Sequence, residues 1–190
     1  TIHDVVPSPS GMGTIACEYI TAALQFDGNV TGTLLQHRFD RMDSAAYAME
    51  LYGSEGRLFW KSGGAWWLPH PHFVPDGTHD RWEALAPIYP EHYDPKKGAS
   101  QDDYWFVEEY VRALDERREH ECSGLEGRHV LEIMMGIFES AAYGTRVNLP
   151  QERREHPLLR WRSEAGLGVP APMPRGYGEW LSTEFQRLGR

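Results

Sequence analysis

The sequence predicts an α+β fold, strands first and helices after, on three observations. The first half alternates β-branched and aromatic residues with turn residues. From Asp102 the apolar residues recur at helical spacing. The length of 190 residues suits one domain, or two small ones. Glu18 to Phe26 (EYITAALQF) reads as a strand that runs into Asp27-Gly28-Asn29, a hairpin turn in which glycine takes a positive φ without steric cost. Val30 to Phe39 is the returning strand. Ala45 to Tyr52, the turn Gly53-Ser54-Glu55-Gly56, and Arg57 to Lys61 repeat the scheme, and Ala65 to Leu68 adds a short fifth strand. This is an antiparallel meander and not a βαβ unit.

Pro69 to Ser100 holds six of the 13 prolines, with His, Asp and Gly, and reads as a long functional or interface loop. Tyr104, Val107, Val111 and Leu114 then share one face of a helix running to about Arg117, with Asp102 or Asp103 placed to cap it. Ser123-Gly124-Leu125-Glu126 has capping-box spacing and opens a second helix. Its stripe is Val130, Met134, Ile137 and Ala141, widened by Ile133 and Phe138, and Gly144 is a left-handed stop. Thr145 to Leu149 reads as an edge strand. The last forty residues are charged and rich in Pro and Gly, and end in a short amphipathic helix from Glu179 to Leu188 that packs on the body or on a partner.

Nineteen Lys and Arg against 28 Asp and Glu leave a net charge of −9, with a pI near 5.4, so neither nucleic acid nor an anionic membrane is the expected partner. Two cysteines, Cys17 and Cys122, are too few for a disulfide framework, and no run reaches the roughly 18 apolar residues of a spanning helix. Thr1 to Ser10 has neither the basic start nor the apolar stretch of a signal peptide. The expectation is a soluble, cytoplasmic protein.

Two stretches carry a resemblance. One is Phe26-Asp27-Gly28 with Gly32-Thr33-Leu34, followed by Glu50-Leu51-Tyr52-Gly53-Ser54-Glu55-Gly56-Arg57-Leu58. The other is Cys122-Ser123-Gly124-Leu125-Glu126-Gly127-Arg128-His129, the helix to Ser140-Ala141-Ala142-Tyr143-Gly144, and Val147-Asn148-Leu149-Pro150. Their order and spacing resemble the C-terminal domain of the Gfo/Idh/MocA family of nicotinamide-dependent sugar and cyclitol oxidoreductases, over roughly residues 14–150. Residues 1–150 thus read as that domain and 151–190 as a tail. The resemblance implies a large, mostly antiparallel sheet with helices on one face. The other face would pair with a second subunit as a homo-oligomer, and the sheet edge would contact a polyol or sugar.

The NAD or NADP of the full-length family is not expected to bind these residues. The family's Glu-Lys-Pro with its catalytic Lys and its Asp-x-x-x-His helix are absent, so no catalytic role is inherited and the chain alone is expected to be inactive. Gly11-Met12-Gly13-Thr14-Ile15-Ala16 fits G-x-G-x-x-A, but Pro7-Ser8-Pro9-Ser10 breaks the strand that should precede a dinucleotide loop. Two other readings stay open: a stand-alone, non-catalytic dimerisation module, and a small His-dependent metalloenzyme.

The densest polar cluster is His37-Arg38-Phe39-Asp40-Arg41 at the end of the second strand. A strand sets His37 and Phe39 on one face and Arg38 and Asp40 on the other. The guanidinium fork and the imidazole suit polyol or carboxylate binding, and a surface ion pair is the plainer alternative. The resemblance, not the spacing, favours binding.

His70 and His72, in Leu68-Pro69-His70-Pro71-His72-Phe73, have the H-x-H spacing of metal ligands, with His79, Asp80 and His92 further on. The flanking prolines favour a threefold period that does not align the two rings, so substrate contact or an ordinary loop is preferred to metal. The candidate substrate-binding set is His37, Arg38, Asp40, Arg41, His70 and His72. No G-x-S-x-G elbow appears, and the adjacent carboxylates Asp102-Asp103 and Glu108-Glu109 diverge on a helix. Among seven tryptophans and nine tyrosines, Trp60, Trp66 and Trp67 stand close together and suit a subunit interface better than sugar stacking.

Overall fold

The computed structural model describes residues 2, 4–7, 14–16, 19–36, 47–61, 63–70, 81–98, 100–171, 179, 182 and 186. In chain order the elements are β1 (Val6–Pro7), β2 (Thr14–Ile15), β3 (Ile20–Gln25), β4 (Thr31–Gln36), β5 (Ala48–Tyr52), β6 (Arg57–Lys61), β7 (Gly64–Leu68), β8 (Glu83–Leu85), α1 (Gln101–Glu116), α2 (Gly124–Tyr143) and α3 (Pro157–Glu164). They fall into two compact units, Thr1–Asp40 with Glu121–Arg190, and Arg41–His120.

In the first unit β3 and β4 form the expected hairpin, registered from Ile20↔Gln36 to Gln25↔Thr31. Its turn is a single 3-10 turn in which Gly28 (φ 69°) and Asn29 (φ 62°) are both left-handed, closed by the Phe26 N–H donating to the Val30 carbonyl at 2.8 Å. Gly and Asn are the residues that tolerate such angles. β1 pairs with β2 in a second short ribbon. Ser123 caps α2, its hydroxyl accepting from the Leu125 and Glu126 amides, and Gly144 (φ 65°) ends the helix as expected.

Thr145 to Leu149 forms no strand, contrary to expectation. Its apolar residues cover α2 instead: a Cβ on Gly136 would lie 3.2 Å from Leu149 Cδ2 and 3.8 Å from Val147 Cγ1. Helix α3 was not expected inside the charged tail. Pro157 occupies its first turn, where the missing N–H costs nothing, and fully buried Leu158 joins Ile2 and Val5 in a core flanked by Ala16, Phe138, Ala142 and Trp161. Glu179, Ser182 and Gln186 are helical, and the rest of the expected 179–188 helix lies outside the described residues.

In the second unit β5-β6-β7-β8 is an antiparallel meander. β8 lies within the segment read as a loop, where Pro87 follows it and an edge strand tolerates a nearby proline. The β5–β6 turn needs glycine at 56, because a Cβ there would sit 2.4 Å from the Leu68 carbonyl oxygen and 2.6 Å from the Trp67 ring. Ser100, rather than Asp102 or Asp103, caps α1, its hydroxyl accepting from the Asp103 amide at 3.1 Å. The hydroxyl stands one residue before the helix begins, and the two acids fall in the first turn, where they favour the dipole.

The fold is α+β. The sheet implied by the resemblance is smaller than expected: the described strands form two two-stranded ribbons and one four-stranded sheet. Among the described residues no helix is long and apolar enough to cross a membrane.

Candidate functional site

Of the six candidate substrate-binding residues, His70 alone is described. It is exposed, two residues past the end of β7. His37, Arg38, Asp40, Arg41 and His72 lie outside the described residues, as do His79, Asp80 and Cys17. Among the described residues no three His, Cys, Asp or Glu side chains come together as a metal-ligand set. Thr14–Ile15, where a dinucleotide loop would open a helix, is strand β2, so this segment does not fit a pyrophosphate cradle.

The most informative surface is the four-stranded sheet. Residues opposite one another on antiparallel strands point to the same face, so the register sorts the side chains. One face carries Met49 and Leu51, Leu58 and Trp60, Ala65 and Trp67, then Leu85 and Glu83, seven apolar residues of eight. The opposite face carries the charge. Arg57 pairs with Glu50, its guanidinium carbon lying 4.6 Å from the Tyr52 ring centroid and 5.3 Å from that of Trp82, and the Glu50 hydrogen bond raises its pKa above the ordinary value. Phe59 packs on Trp66 at 5.7 Å, and Lys61 Nζ lies 5.7 Å from the same ring.

Antiparallel sheets ordinarily turn their polar face to water and their apolar face inward. Here much of the apolar face is exposed: Met49 is 49% exposed, Leu51 50%, Trp60 39% and Leu85 47%, while Leu58, Ala65 and Trp67 between them are half-buried. Aromatic and aliphatic side chains at that density suit the centre of an interface.

A second constellation, in the first unit, was missed by sequence reasoning. Glu132, Gly136, Glu139 and Tyr143 stand at i, i+4, i+7 and i+11 on α2, a single face. Glu132 accepts from the Gln151 amide at 3.2 Å and pairs with Arg154. Glu139 accepts from the Gln151 side chain and pairs with Arg160, whose side chain is 7% exposed. Arg160 Nε donates to the Tyr143 hydroxyl at 3.1 Å, and that hydroxyl donates to Glu164 at 2.7 Å. Arg160 Nη1 makes no hydrogen bond and lies 4.0 Å from Glu155.

Burial pushes the Glu139 carboxyl up, but hydrogen bonds from Gln151 and Arg160 and the nearby guanidinium charges outweigh it and leave the pKa below its ordinary value. Burial raises that of Tyr143, with Glu164 adding to the rise and Arg160 opposing it. With both acids engaged by guanidinium groups, this seam docks α3 and its approach loop onto α2. Arg162 ties the first residues of the chain to the turn after α3: it pairs with Asp4 and donates to the Gly168 and Leu167 carbonyls at 2.8 and 3.1 Å. Such a seam is legible only as Glu-Gly-Glu-Tyr at helical spacing followed by Arg154 and Arg160.

No family model, no curated protein and no solved structure matches the chain.

Proposed function

We propose that this chain is the substrate-binding and oligomerisation domain of a Gfo/Idh/MocA-like oxidoreductase acting on a sugar, cyclitol or related polyol. In this reading NAD or NADP is held by residues other than these 190, and the assembly works in the cytoplasm. The observation that carries the reading is the open apolar face of the β5–β8 sheet, where the resemblance places a subunit contact. Hydride transfer needs nicotinamide and substrate carbon held at near-attack distance. One wall of such a cleft is a ligand-gripping platform, for which His37, Arg38, Asp40, Arg41, His70 and His72 supply polyol-binding groups.

The same face supports a second reading, a non-catalytic dimerisation module. Titration of the full chain with sugars and cyclitols, followed by tryptophan fluorescence, separates the two. Saturable binding that weakens about tenfold in Arg38→Ala supports the platform, since a hydrogen bond to a charged donor is worth about 1.5–3 kcal/mol. No saturable signal with any polyol, in a protein that still self-associates, leaves the dimerisation module.

A further inference from the structure

We draw no further inference here: the strongest candidate, the cavity along α1 lined by Tyr104, Val107, Val111 and Arg112, carries none because nothing in the structure shows what covers it.

Discussion

Arg160 joins two helices through one side chain, and its removal strands two groups at once, the Glu139 carboxylate and the Tyr143 hydroxyl. Arg160→Met is expected to lower unfolding stability by about 2 kcal/mol or more, measured by urea denaturation, whereas Arg153→Met, on the exposed Arg153–Glu155 pair, should change it little. Glu139 gives the seam an acid limb. Its folded pKa lies below the ordinary 4.5, so its contribution is complete above that value and is lost as pH falls through the folded pKa; Glu139→Gln should remove that part of the acid dependence.

His156 titrates in a higher window. Burial lowers its pKa from 6.5 despite an opposing backbone hydrogen bond, so on acidification the unfolded chain takes up the proton first and stability falls below pH 6.5. Urea midpoints at about pH 7.5 and 5.5 should therefore differ less in His156→Leu than in the parent. At this scale the caps at Ser123 and Gly144 were legible because they act on neighbouring backbone. The roles of Arg160 and Glu132 were not, because their partners lie 17 to 22 residues away.

Among the elements, the strands of both long hairpins follow from alternation and turn chemistry, and α1 and α2 follow from periodicity. What periodicity did not reveal depends on tertiary contact. β8 exists because β7 offers it an edge, α3 because Leu158 finds Ile2 and Val5, and the 145–149 segment stays unpaired because Val147 and Leu149 cover Gly136. The β5–β6 turn gives the sharpest test of an element. Gly56→Ala drives a methyl group against backbone at Leu68 and should cost about 1–3 kcal/mol, with a changed near-ultraviolet signal from the displaced Trp67. An unaltered midpoint and spectrum would show that the turn relaxes freely.

For the whole molecule, the open apolar sheet face is the feature on which the functional reading turns. Its strands were legible in the sequence; its exposure was not, because alternation tells which residues share a face but not what covers it. The candidate residues His37, Arg38, Asp40, Arg41, His70 and His72 were chosen for their chemistry alone; of them only His70 is among the described residues, and a grouping of side chains from distant segments is not encoded in spacing. The most direct measurement is the light-scattering mass of the chain and of Leu51→Glu with Trp60→Glu across a concentration series. A parent mass at least twice the 21.7 kDa of one chain, with assembly weakened in the double variant, is expected. A parent mass of 21.7 kDa at every concentration, or an assembly that the double variant leaves unchanged, contradicts the sheet-face interface.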